Sequence, residues 1–340
     1  MTAALPALSV RSLGPFKVSA IGLGCMNLSH AYLPRPDPAD AKRLLQHALD
    51  SGVTHFDTAA LYGFGANERL LGEAIMHRRS TFTLASKCVL AEIDGKRGLN
   101  GSPDAIARVL EDSLRRLQTD HIDLYYLHRL DRNVPIEESV GALVRAREAG
   151  KIGAIGLSEM SAATLRRAQA IHPIAAMQTE YSPWTRNVEV AVLDACAELG
   201  AALVAFSPLA RGMLAGGVGA QGFEPGDIRA DMPRFQAQNL ETNRALAARF
   251  AALANGAGLN AAQLSLTWTL SRGDHVIPIP GTTSIAHLDE NLATLSLSVP
   301  QDLLDAVDHL LRPDAVAGAR YARAAQAQVD TELCPGEQLI

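Results

Sequence analysis

Cysteine is scarce. The four present, Cys25, Cys88, Cys196 and Cys334, are widely spaced and form no Cys-x-x-Cys pair, so neither a disulfide framework nor a thiolate zinc site is expected. The ten histidines include no His-Glu-x-x-His run and no tight cluster with carboxylates, and no metal is expected either. Charge of one sign is missing too: the net charge is -5 without any long block of lysine or arginine. That excludes the electrostatic footprint of a nucleic-acid binder or a protein held to an anionic membrane. No uninterrupted apolar run reaches the roughly 18 residues of a membrane span, and the opening "MTAALPALSVRSLG" lacks the apolar core of a signal peptide. The expectation is a cytoplasmic chain, monomer or homo-oligomer, whose partners are small molecules. With 48% hydrophobic and 20% charged residues, the 340-residue chain has ordinary globular composition.

What is present is one grammar, repeated. After a possible hairpin near residues 7 to 18, short apolar β-rich runs alternate with longer stretches of helical periodicity. The runs are "VSAIGLG" (18 to 24), "VTHFD" (53 to 57), "FTLASK" (82 to 87), "IDLYYLH" (122 to 128), "IGAIGLS" (152 to 158), "AAMQTEY" (175 to 181), "LVAFS" (203 to 207) and "VIPIP" (276 to 280). Helical stretches such as "PADAKRLLQHALDSG" and "SPDAIARVLEDSLRRLQ" lie between them. Ser102 with Pro103 and Ser161 mark helix starts, and Gly52 and Gly150 mark helix ends. Eight such repeats predict a (β/α)8 TIM barrel, read as a single domain over 1–340.

The competing open sheet would carry a dinucleotide fingerprint after its first strand. "GLGCMN" supplies two glycines from Gly22 but has Asn27 where the third belongs. The perfect Gly-x-Gly-x-x-Gly spacing, "GVGAQG" from Gly217 to Gly222, runs into "FEPGD" and not into a helix. It reads as part of a long flexible loop after strand 7, from Leu209 to about Gln238.

Barrel chemistry gathers where the strands end. Asp57 ends the second run with Tyr62 just beyond it, Lys87 ends the third, and His128 ends the fourth. Singly they read as a cap, a loop packer, a snorkelling lysine and a core histidine. Together they form a set suited to delivering a proton to a carbonyl oxygen. On this reading the Lys87 ammonium lowers the pKa of the Tyr62 phenol, Asp57 supplies the counter-charge, and His128 donates to the substrate oxygen. No nucleophile with an adjacent base is evident. Ser158 and Gln178 could hydrogen-bond an amide-bearing ring, with Tyr181 as a stacking face. After the eighth run, Gly281, Thr282, Thr283 and Ser284 lead into a helix whose N-terminus suits a phosphate, or serve only as caps.

These motifs, "GLGCM", "FDTAALYG", "ASK", "DLYYLHR", "IGLSE", "QTEYS", "SPLARGML", "DIRADMPRF" and "IPGTTSIAHLDEN", occur in the order and spacing of the aldo-keto reductases, which the chain resembles nearly throughout. The wording is most similar to the bacterial and fungal branch that reduces varied aldehydes, including pyridoxal-like ones. The resemblance implies an NAD(P)H-dependent reductase of carbonyls with Asp57, Tyr62, Lys87 and His128 as catalytic tetrad and Tyr62 as general acid. It implies a cofactor site that includes Gly24, Met26, Ser158, Gln178 and Tyr181, with Ser207, Leu209 and Arg211 at pyrophosphate and ribose and Glu290 and Asn291 at adenine. The chain departs from the family pattern at Glu159, where many members have asparagine, and at Gly281 and His287, where lysine and arginine often surround the 2'-phosphate. NADPH is the expected cofactor, with NADH possible.

Met26, Tyr32, Phe64 and Trp184 are expected to wall an apolar pocket for a small-molecule carbonyl or alcohol, although loop packing would use the same residues. The expected order is cofactor first, then closure of the loop 209–238, then substrate. Two other functions fit less of the pattern: a Schiff-base lyase using Lys87, and a slow nucleotide-sensing subunit of the same fold.

Overall fold

The computed structural model describes residues 8–93 and 96–337. Among the described residues, eight strands form one parallel sheet: β1 (Leu23–Gly24), β2 (His55–Asp57), β3 (Thr83–Cys88), β4 (Ile122–Leu127), β5 (Ile152–Ser158), β6 (Ile174–Glu180), β7 (Ala202–Phe206) and β8 (Val276–Ile279). Each pairs with its neighbour in sequence order. The first and last meet through the N–H of Gly22 on the carbonyl of Pro278 (3.0 Å) and the N–H of Gly24 on that of Pro280 (3.3 Å), which closes the predicted barrel. This seam admits no side chain, because a Cβ on residue 24 would lie 2.7 Å from the carbonyl oxygen of Ile279.

Helices α1 (Pro38–Asp50), α2 (Ala66–Ile75), α3 (Pro103–Leu117), α4 (Ile136–Glu148), α5 (Ala162–Gln169) and α6 (Val192–Leu199) follow β1 to β6 in turn. Two helices, α7 (Ala237–Gly256) and α8 (Ala261–Leu270), follow β7, and α9 (Ile285–Ala293) and α10 (Gln301–Leu310) follow β8. The starts read from sequence are real caps: Ser102 accepts from the N–H of Ala105 at 3.4 Å and Ser161 from that of Thr164 at 3.2 Å. Among the described residues, no helix is long and apolar enough to cross a membrane.

Strand parity decides what enters the barrel. Ala85, Leu124, Tyr126, Ala154, Ala176, Val204, Ile277 and Ile279 form the interior cluster, together with Leu13 and Val18 from an antiparallel hairpin, Val10–Leu13 with Phe16–Ser19. Their alternates Leu84, Tyr125, Leu127, Leu157, Met177 and Leu203 pack outward in the main core with the helix residues. Residues continuing the inward parity at the C-terminal ends are therefore Asp57, Lys87, His128, Ser158, Gln178, Glu180 and Phe206.

The chain differs from the sequence reading in three places. The run 18 to 24 is divided, with Val18 and Ser19 in the hairpin and only Leu23–Gly24 in the barrel, because Ser19 and Thr54 exchange hydrogen bonds of 2.7 and 3.0 Å that end the hairpin there. The predicted hairpin start at residue 7 lies outside the described residues. A second hairpin, Leu90–Ile93 with Lys96–Leu99, follows β3. The loop after β7 is fastened across the mouth: Ile228 donates to the carbonyl of Ala31 at 2.7 Å, and Asp227 accepts from the N–H of Leu33 at 3.0 Å. Within it the segment 217–222 forms neither strand nor helix.

The C-terminal segment is pinned by buried ions. Glu159 has no exposed surface. One of its carboxylate oxygens accepts from the N–H of Glu180 (3.0 Å), the other from Thr331 Oγ1 (2.9 Å) and from Arg320. Glu180 accepts from Arg211 at 2.8 Å and Tyr321 at 3.1 Å. Burial works against the Glu180 charge, yet Arg211, Arg320 and Arg234 hold its carboxyl down at about 2. Asp330 accepts from the N–H and hydroxyl of Ser161 and from Thr164 Oγ1 at 2.7 to 3.1 Å.

Arg320→Ala would leave Glu159 buried without counter-charge and is expected to cost about 3–5 kcal/mol in urea unfolding. Arg132→Ala, whose 59% exposed side chain pairs with Asp330 at 3.1 Å, should cost less than about 1 kcal/mol; equal losses would contradict a buried anchor. A depressed carboxylate stabilises above its unfolded pKa and loses that contribution as pH falls. The stability difference between the native chain and Glu180→Gln should therefore shrink between pH 4.5 and about 2.

Candidate active site

Asp57, Lys87 and Tyr62 meet at the mouth as the strand ends predict. The Lys87 ammonium, fully buried, donates to Asp57 Oδ1, to the carbonyl of Thr58 at 2.8 Å and to the Tyr62 hydroxyl at 3.2 Å. Three donors thus meet three acceptors. The other carboxylate oxygen of Asp57 accepts from Gln178 Nε2 at 2.7 Å. That bond fixes the Gln178 amide, so its carbonyl oxygen is the end left for a ligand. Burial alone would lower the pKa of Lys87; Asp57 and Tyr62 outweigh it and raise the value. The lysine is a held cation.

The expectation that Lys87 brings the phenol below its ordinary pKa does not hold for the protein alone. Burial pushes Tyr62 up, Lys87 pulls it partway back, and the Asp57 charge adds to the rise. Tyr62 is accordingly a phenol kept protonated, with its oxygen oriented by the ammonium. His128 stands edge-on to it, ring centroids 5.7 Å apart at 83°. Burial, reinforced by Lys87 and Arg129, holds the imidazole well below its usual pKa, so it is neutral. Its Nδ1 is buried without a partner. On the other side His30 stacks on Tyr62 at 6.0 Å.

The remaining predicted residues divide. Ser158 is 1% and Gln178 3% exposed, both inward from adjacent strands. Gly24, paired with Asp57 on the neighbouring strand, and Met26 just after it are half-buried. Ser207 and Leu209 begin a turn in which Ser207, Ala210 and Arg211 take left-handed φ values of 49, 50 and 56°, the kind of main-chain arrangement that turns N–H groups toward an anion. Arg211 itself is spent on Glu180, Tyr321 (3.0 Å) and Tyr32 (3.3 Å). Ser284 caps α9, accepting from the N–H of His287 at 3.4 Å, and Thr282 Oγ1 accepts from the N–H of Ser284 at 3.0 Å. Gly281, Thr283, His287 and Glu290 are exposed along the same ledge, and Asn291 is buried beneath it. The carbonyl oxygen of the Asn27 side chain, next to Gly281, is buried with no partner.

Three residues lie elsewhere than expected. Tyr181 has no exposed surface: its ring packs edge-on to Trp268 at 5.4 Å and its hydroxyl donates to Glu189 at 2.8 Å. It follows β6 with outward parity, so it offers no face to a ligand. Glu159 faces the tail network and not the mouth. Trp184, 4% exposed, packs in the core, whereas Tyr32 is half-buried and Phe64 is 42% exposed at the surface. The inward, half-buried ring at the mouth is Phe206, which a parity count along β7 would have found. Arg129, directly after His128, and His30 were also missed.

Residues 20–312 match the sequence profile of the Aldo/keto reductase family. The chain is 41% identical over 312 residues, 90% of its length and 89% of the relative's, to a probable aldo-keto reductase 1 of Glycine max. Among solved structures it is similar to a glycerol dehydrogenase of Gluconobacter oxydans, with a TM-score of 0.81, 27% identity and coverage of 99% and 100% of the two chains. It is also similar to the holo form of an aldo-keto reductase of Bacillus halodurans, with a TM-score of 0.75, 26% identity and coverage of 90% and 97%. A closed parallel barrel with a buried Asp–Lys–Tyr set at its mouth, matched over most of the sequence, assigns the chain to the aldo/keto reductase family.

Proposed function

We propose that the chain reduces aldehyde or ketone carbonyls reversibly, with NADPH as the assigned nucleotide and NADH as an acceptable one. The observation that carries this reading is the Lys87 ammonium held between Asp57 and the Tyr62 hydroxyl in a buried site. The bound nicotinamide supplies the hydride. The chain's own residues supply the rest. Ser158 and the free end of Gln178 orient a carboxamide, and Phe206 offers the ring face. The left-handed turn after β7 and the capped start of α9 suit the phosphates. Segment 281–291 contains no lysine or arginine, so a 2'-phosphate there would rest on neutral donors and the exposed His287.

Tyr62 gives its proton to the carbonyl oxygen as negative charge develops there, and Lys87 stabilises the phenolate left behind. Neutral His128 donates a second hydrogen bond to the same oxygen. The loop after β7, fastened to Ala31 and Leu33, screens the site from water. In the alcohol direction the same groups run in reverse, in keeping with a glycerol dehydrogenase among the relatives. A Schiff base on Lys87 would need a neutral amine, which the paired ammonium opposes.

Tyr62→Phe should lower kcat for carbonyl reduction by roughly 10²–10⁴-fold while nucleotide affinity, read by fluorescence quenching, stays within about threefold; retention of most turnover would reject Tyr62 as the acid. The directions of the two pKa shifts make a second expectation. With His128 below 6.5 and Tyr62 above 10.0, kcat/KM for reduction should show no inflection between those pH values. A limb centred near neutrality would contradict the assigned protonation states.

A further inference from the structure

Two arginines at the mouth meet no carboxylate among the described side chains. Arg129, half-buried, donates through one terminal nitrogen to the carbonyl of His128 at 2.8 Å and reaches Ser158 Oγ at 3.5 Å. Its remaining N–H groups have no partner among the described residues. Arg97, exposed on the hairpin after β3, donates to the side-chain oxygen of Gln328 at 2.6 Å. Neither pairs with a carboxylate among the described side chains. The neighbouring guanidiniums behave differently: Arg211 pairs with Glu180, Arg320 with Glu159 and Arg229 with Asp227. Both charges are near the chemistry, since Arg129 bears on Tyr62 and both arginines bear on His128. Arg35, also exposed, adds a third cation against His30.

Position separates these arginines from the nucleotide phosphates. In the strand order, β4, which Arg129 follows by two residues, lies four strands from β8 in either direction around the closed barrel. The phosphate features follow β7 and β8, so the arginines stand across the mouth on the substrate side. A guanidinium that meets only neutral acceptors keeps its fork of donors for a carboxylate or phosphate.

We infer that the substrate is an anionic carbonyl compound, an aldehyde or ketone bearing a carboxylate or phosphate, whose anion Arg129 and Arg97 hold while its carbonyl reaches Tyr62. This deepens the reductase reading and rests on it. The test is kcat/KM for matched pairs: 4-carboxybenzaldehyde against methyl 4-formylbenzoate, and glyceraldehyde 3-phosphate against glyceraldehyde. The charged member of at least one pair should lead by roughly tenfold, the worth of a charge-assisted hydrogen bond, and which pair shows it separates carboxylate from phosphate.

Arg129→Gln and Arg97→Gln should each bring that ratio down severalfold, and raising salt from about 0.02 M to about 0.5 M should also reduce it. A merely structural role would slow both members alike and leave the ratio unchanged. Turnover of the neutral members with a native ratio near one, or a ratio untouched by both substitutions, overturns the anion site alone. Absence of turnover with every carbonyl overturns the reductase reading and this inference together.

Discussion

A fully buried lysine ammonium would be intolerable without partners, and the arrangement at the barrel mouth follows from meeting that demand. Asp57 supplies the counter-charge and accepts one hydrogen bond from it, the carbonyl of Thr58 accepts a second, and the Tyr62 hydroxyl accepts the third. Each partner is constrained in turn. Asp57 must accept from Gln178, which orients the Gln178 amide. Tyr62 must bring its oxygen within reach of Nζ, which fixes where its hydroxyl stands at the mouth. The same charge helps keep His128 neutral. The geometry and the protonation states at the mouth are consequences of one ion placed where water cannot reach it.

A second layer of buried charge supports the first from the adjoining strands. Glu159, just past the end of β5, and Glu180, at the end of β6, hold Arg320, Tyr321 and Arg211, and so tie the C-terminal segment and the turn after β7 to the barrel that carries Gln178. The mouth is therefore assembled from three parts of the chain whose relative positions depend on ion pairs, whereas the barrel itself depends on apolar burial.

Much of this was legible in the sequence because it depends on periodicity. Apolar runs buried on both faces, alternating with amphipathic stretches, identify the barrel, and polar residues that stop those runs identify Asp57, Lys87 and His128 as neighbours. What could not be read depends on single steps of parity or on partners far along the chain. Tyr181 and Phe206 are both aromatic residues near strand ends, and only the inward or outward sense of their strands tells them apart. Glu159 resembles a site residue until Arg320 and Thr331, some 161 and 172 positions away, are seen to claim its oxygens. The expected lowering of the Tyr62 pKa failed because proximity to a cation is visible in a motif and desolvation is not. The hairpin after β3 did leave a signal, an Asp-Gly pair at residues 94 and 95 directly after the run ending at Ile93.

The most direct test of the account is the protonation state of Lys87 in the folded protein, followed by NMR of the side-chain nitrogen and adjoining carbon in lysine-labelled protein, with Lys87→Arg to assign the signal. The pairing with Asp57 and Tyr62 requires an ammonium that persists through neutral pH and titrates above the ordinary lysine value of 10.5. A Lys87 that loses its proton near or below neutrality would mean that burial prevails over Asp57, and the ion on which the site is built would not exist.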